Sequence, residues 1–179
     1  MLTITIPATE SFDPITETFF ETKEQKLQLE HSLLSIAKWE SKWKKPFLDK
    51  GEKTPEESRD YIRCMTITQN VDPNIYYALT KENYVEIINY IQDPMTATWF
   101  ADDHKPPSRE IITADIIYYY MTALQIPFTC EKWHLNRLMT LIRVCSEKNK
   151  PPKKMSKRNI MTQNQALNAA RRAKMNSMG

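Results

Sequence analysis

Leu2, Ile4 and Ile6 alternate with Thr3 and Thr5, the two-residue period of a strand covered on one face, and Pro7 ends or edges it. Phe12-Asp13-Pro14 supplies a turn, after which Ile15 to Glu21, rich in Thr, Phe and Ile, returns as a second strand. Leu27 and Leu29 alternate once more before the period changes. The pattern predicts a small N-terminal β-hairpin or three-stranded sheet.

From Ser32 the period is helical. Leu33, Leu34, Ile36, Ala37, Trp39 and Trp43 share one broad face until Pro46 stops it. Gly51 marks a loop, and Thr54-Pro55-Glu56-Glu57 combines an N-cap, a first-turn proline and acids at the positive end of the helix dipole, which starts a helix running to about Thr68. Asp72-Pro73 and Thr80 with Asn83 open further helices, the second carrying Tyr84, Ile87, Ile88 and Ile91 before Asp93-Pro94 closes it. Phe100 to Arg109 reads as a loop. Thr113 caps a helix over Ala114 to Gln125, whose centre from Ile116 to Met121 is apolar or aromatic nearly all round, as in a helix central to a bundle or covered by a partner. Ile126-Pro127 breaks it, and Cys130 to Lys148 reads as one long amphipathic helix with Trp133, Leu135, Leu138, Leu141, Ile142 and Cys145.

Pro151-Pro152 then separates a tail in which Ser156 caps a helix from Lys157 to about Lys174, with a thin apolar face of Ile160, Met161, Ala166, Leu167, Ala169 and Ala170. The expected fold is mainly α: residues 1–149 form an α-rich globular domain with the hairpin and a helical bundle, and residues 150–179 form a basic C-terminal helical arm.

Composition changes this picture in three places. The 179 residues hold only two glycines, Gly51 and Gly179, which excludes the glycine-rich loops that bring backbone against phosphate in P-loop and Rossmann enzymes. The formal charge of +3 hides an asymmetry: from Lys150 onward stand eight basic residues and no acidic one, which leaves 17 basic and 22 acidic residues, a net of −5, in residues 1–149. Three cysteines without C-x-x-C spacing, no signal peptide and no apolar run near a membrane-spanning length lead to the expectation of a soluble protein of a reducing cytosol.

Candidate chemistry is sparse. Cys130 and His134 at i, i+4 on one helical face could give two metal ligands, but no local spacing supplies the others, and a packed cysteine beside a hydrogen-bonded histidine is the favoured reading. The same pair with Asp115 or Glu131 as orienter would make a nucleophilic triad, a reading that needs an electropositive, partly exposed cysteine. Glu30-His31 and Asp102-Asp103 are weaker acid–base pairs, explained by a capping turn and a solvated loop. No catalytic, metal or cofactor set emerges, and no enzyme is expected. The four tryptophans, Tyr118 to Tyr120 and nine methionines instead offer large adaptable apolar surface, although most such residues fill cores. The basic tail could hold nucleic acid, but it lacks the aromatics that stack on single strands; docking on an acidic protein surface is favoured.

Leu29-Glu30-His31-Ser32-Leu33, Lys38-Trp39-Glu40-Ser41-Lys42-Trp43 and Lys45-Pro46-Phe47 resemble blocks of the tail assembly chaperones of long-tailed bacteriophages of Gram-positive hosts. Cys64-Met65-Thr66-Ile67, Pro94-Met95-Thr96-Ala97-Thr98, Lys132-Trp133-His134-Leu135-Asn136-Arg137-Leu138, Leu141-Ile142-Arg143-Val144-Cys145 and Pro151-Pro152-Lys153-Lys154-Met155-Ser156 look like further blocks of that family, so the likeness spans nearly the whole chain. The resemblance implies a helper without enzymatic activity, made in the host cytoplasm and absent from the mature virion, that covers the long amphipathic helix of a tape measure protein until tail-tube protein polymerises around it. An uncovered helix of that length would aggregate. Self-association stays open, and no membrane is implied. The partner-contact candidates are Trp39, Trp43, Trp133 and Arg137 in the body and Lys153, Lys154, Lys157, Arg158, Arg171 and Arg172 in the arm. The rival readings are a structural or connector component of the tail and nucleic-acid binding through the arm.

Overall fold

The computed structural model describes residues 1–13, 18–100, 111–151 and 157–175. The Pro14 turn, most of the Phe100 to Arg109 loop, the Asp102-Asp103 pair and the Ser156 cap lie outside them. The chain is mainly α with a small antiparallel β element at its N-terminus, and it divides into two compact units, Met1–Glu147 and Lys148–Gly179.

In the first unit, β1 (Leu2–Ile6) pairs antiparallel with β4 (Gln25–Leu29), and β2 (Thr9–Asp13) pairs antiparallel with β3 (Thr18–Thr22). The hydrophobic period thus found strands, but the N-terminal element is two nested two-stranded ladders. Register sets Ile4 opposite Leu27 and Leu2 opposite Leu29, so the alternating residues form one apolar face: Ile4, Ile6, Leu27 and Leu29 are buried. The free edge of β4 is partly covered by the segment after the second helix, where Glu30 N–H donates to Met65 O, Ile67 N–H donates to Gln28 O, and Leu29 and Thr66 form a lone bridge.

Helix α1 (Leu33–Trp43) starts in a capping box in which Ser32 and Ser35 satisfy each other's backbone N–H, and it ends at Lys44 in a left-handed conformation, φ 55°. Among the described residues the positive-φ positions are Lys44, Asn70, Met95 and Gln125, none of them glycine, so this glycine-poor chain accepts the Cβ strain of left-handed turns. Helix α2 (Pro55–Met65) has the Thr54–Glu57 capping box and stops before Thr68, because Thr66 turns extended to reach β4. A 3-10 helix over Pro73–Tyr77 follows, then α3 (Lys81–Gln92), capped by Thr80 and Asn83.

Helix α4 (Ala114–Ala123) departs from its expected central place. It buries only Ala114, Ile117 and Met121, leaves Tyr119 67% exposed, and packs one side on α1, which itself touches α2, α4 and the 3-10 helix Phe128–Lys132. The long helix expected from Cys130 is also divided. Phe128–Lys132 is 3-10, Trp133 is extended, and α5 begins at Leu135 and runs to Lys148. The break follows from long-range pairing, since Ser32 and His134 form a β-bridge and Leu135 N–H donates to His31 O at 2.7 Å. Helix α6 (Lys157–Met175) lies in the second unit, and no helix among the described residues is long and apolar enough to cross a membrane.

Candidate functional site

The broken helix removes the geometry on which the Cys130–His134 pair depended. Cys130 is buried in a 3-10 turn, and His134 spends its ring on other groups. His134 Nε2 lies 3.0 Å from Tyr90 O and therefore carries the proton, while Nδ1 accepts from Asn136 N–H at 3.3 Å. Asn136 Nδ2 donates to Ile91 O at 2.9 Å and to Asp93 O at 2.8 Å. His134 thus gives Tyr90 O a second donor beside Asp93 N–H, and Asn136 satisfies Ile91 O and Asp93 O at the end of α3. Among the described residues, no group of three His, Cys, Asp or Glu is placed to hold a metal ion.

His31 sits beside this group. Its ring centroid is 5.1 Å from that of His134, and its Nδ1 is 2.5 Å from the Tyr61 hydroxyl, which lies 3.5 Å from Ser35 Oγ. Burial, and then the neighbouring His134, push His31 down to about 4, and burial also lowers His134. Burial drives the Tyr61 hydroxyl well above its ordinary range. Glu30 belongs to the same region through the hydrogen bond it accepts from the Tyr90 hydroxyl at 2.6 Å. The Glu30-His31 dipeptide therefore divides its work between two tyrosines.

A cleft of about 320 Å³ opens nearby, with Glu30, Ser32, Ser35, Lys38, Cys64 and Lys132 in its wall. Its hydroxyls are engaged locally: Ser35 Oγ donates to Ser32 O at 2.7 Å. Burial raises the Cys64 thiol, the opposite of what a thiolate nucleophile requires.

Of the candidates on α1, Trp39 is corrected by its position. It is 1% exposed, donates Nε1–H to Glu57 O at 2.9 Å and packs against Trp43 and Phe47, so its indole is core and offers no face to a partner. Trp43 is half-buried and donates to Asp60 Oδ2 at 2.9 Å. Burial pushes the Asp60 carboxyl up, but hydrogen bonds from Arg63, Lys42 and Trp43 outweigh it and hold the group below its ordinary value. Glu57 is also lowered, first by the Lys45 ammonium and then by the Thr54 backbone. Glu40 ties three elements together by accepting from Phe47 N–H at 2.8 Å and from Ala114 N–H, at the first turn of α4, at 2.9 Å.

Trp133 and Arg137 are brought together. The Arg137 guanidinium lies 4.3 Å from the centre of the Trp133 ring, with the arginine exposed and the indole half-buried. Two apolar groups outside the contact candidates are also open: Trp99, one of the four tryptophans, is 81% exposed, and Phe128 is exposed beside Tyr118. Their only sequence signal is nearby proline, in Pro94 and Pro127, which keeps the chain out of regular helix. Arg158, Arg171 and Arg172 are exposed on α6, Lys157 opens that helix, and Lys153 and Lys154 lie outside the described residues.

No protein-family model matches the chain, and no curated protein or solved structure matches it at a significant level.

Proposed function

We propose that this chain is a phage tail assembly chaperone that binds tape measure protein and tail-tube protein in the host cytoplasm and is left out of the mature virion. The observation that carries the reading is the run of sequence blocks from Leu29 to Ser156 that resemble that family. Local chemistry supports it by subtraction. Within those blocks Glu40, His134 and Asn136 serve helix ends and Trp39 serves the core, whereas the stacked Trp133–Arg137 pair keeps an open side. Tryptophan and arginine are the side chains that most often dominate protein–protein contacts.

The test is co-expression of the chain with a tape measure protein of a long-tailed phage, followed by pull-down and mass spectrometry of the soluble complex and of purified virions. A soluble complex absent from virions is the expected result, and Arg137→Glu should lower recovery about tenfold by removing a central contact. Tape measure protein that stays insoluble sinks the proposal; copies retained in virions replace it with a structural tail component.

A further inference from the structure

The second unit presents an exposed, basic helix. Every residue of α6 from Arg158 to Met175 is exposed, including Ile160 at 44% and Leu167 at 50%, which stand seven apart and so share one face. Arg171 and Lys174, four and seven residues after Leu167, continue that face. No acidic residue occurs from Lys150 onward. Packing of an apolar face supplies most of a helix's stability in folded proteins, and the complement of this face is an exposed aliphatic stripe edged with carboxylates.

One surface of the first unit has that chemistry. On α3, Val85 is 58% and Ile88 49% exposed, three residues apart, and Glu82, Glu86 and Asn89 lie on the same outer side, with Lys81 in the first turn. Lys81, Glu82, Val85, Glu86 and Asn89 line an open groove of about 440 Å³. The other helices do not combine these features: the exposed faces of α1 and α5 carry Lys38 and Lys42, and Arg137 and Arg143, and α4 exposes one acid, Asp115, beside Tyr119. The charge of the whole chain agrees, since residues 1–149 carry a net of −5 against the wholly basic arm.

We propose that α6 of one copy docks on the outer face of α3 of a second copy, with Ile160 and Leu167 against Val85 and Ile88 and the arm's basic residues against Glu82 and Glu86. The two faces are different, so the contact is heterologous and propagates head to tail into a ring or an open chain. A single helix laid on another buries less than a standard interface, which makes the assembly weak and concentration-dependent. The inference stands apart from the tape measure reading, because it needs no second protein.

Sedimentation velocity on the full-length chain over a concentration series, at low and high salt, tests it. The sedimentation coefficient is expected to rise with concentration and to rise less at high salt. Glu82→Lys with Glu86→Lys, and separately Arg171→Glu with Lys174→Glu, should each weaken association at least about tenfold by turning attraction into repulsion. An equimolar mixture of the two double variants should associate again, since each reversed face then meets its complement, and that recovery excludes misfolding as the cause of the losses. A chain that stays monomeric throughout, association that survives either reversal, or a mixture that fails to recover would each overturn the proposal.

Discussion

Helices α1 and α6 are both well-formed helices, and they are held by opposite means. The first has 11 residues, buries Leu33, Ser35, Ile36 and Trp39, and is fixed at both ends by Ser32 and Lys44. The second has 19 residues and buries none of those described. The longer helix is the less anchored one, because packing of an apolar face, more than length or propensity, supplies most of a helix's stability in a folded protein. The same contrast assigns the roles of their large side chains: Trp39 is used up in folding, whereas Leu167 and its neighbours remain available to a partner.

The sharpest way to break this contrast is a pair of truncations. Trp39→Ala removes a fully buried indole and its hydrogen bond to Glu57 O, and should cost about 3–5 kcal/mol in denaturant unfolding. Leu167→Ala should move the same transition by less than about 0.5 kcal/mol; a loss comparable to that of Trp39→Ala would mean that α6 is part of the folded core.

Acidification should act next most strongly, and on the first unit alone. His31 is neutral in the fold, with its pKa lowered to about 4 from an unfolded value of 6.5, so the unfolded chain binds more protons between those values. Its contribution is present above pH 6.5 and is lost as pH falls toward 4, by up to about 3 kcal/mol. The lowered carboxyls of Asp60 and Glu57 add a loss of the same sign at lower pH still. The stretch that forms α6 contains no histidine, aspartate or glutamate, so no titration within it acts on its helicity over this range. Unfolding free energies at pH 7.5 and 4.5, with circular dichroism of the acid state, would show whether a helical signal outlasts the loss of near-ultraviolet tryptophan dichroism.

Two smaller effects sharpen the comparison at the helix ends. Thr54→Ala removes one half of the α2 capping box and should cost about 1 kcal/mol. Lys44→Gly relieves a left-handed backbone at the end of α1 and should stabilise by about 0.5 kcal/mol, after the greater chain entropy of glycine is set against the relief. A destabilising result would show that the Lys44 side chain makes a contact worth more than the strain.

Local signals were legible where one segment contains both the cause and the result. Thr54, Thr80 and Thr113 each cap the helix that their neighbours predict, and the alternation of Leu2, Ile4 and Ile6 does make a strand. Segments whose conformation answers to a distant partner were misread. The Cys130 to Lys148 pattern is periodic enough for one helix, yet pairing of His134 with Ser32, about a hundred positions away, forces Trp133 and His134 out of it. The contact candidates divide the same way: adjacency brought Trp133 and Arg137 together, but nothing local distinguished buried Trp39 from half-buried Trp43.

The sequence by itself determined the mainly α class, most helix starts and the separation of a mildly acidic body from a basic arm, since these depend on periodicity, capping chemistry and charge that a short segment carries alone. Tertiary structure decided that α1, rather than aromatic α4, is the hub, that two histidines from opposite ends of the first unit meet in its interior, and that α3 turns Val85 and Ile88 outward. Those outcomes depend on which surfaces meet when the chain closes, and an apolar residue has the same hydrophobicity on whichever side of a helix it falls.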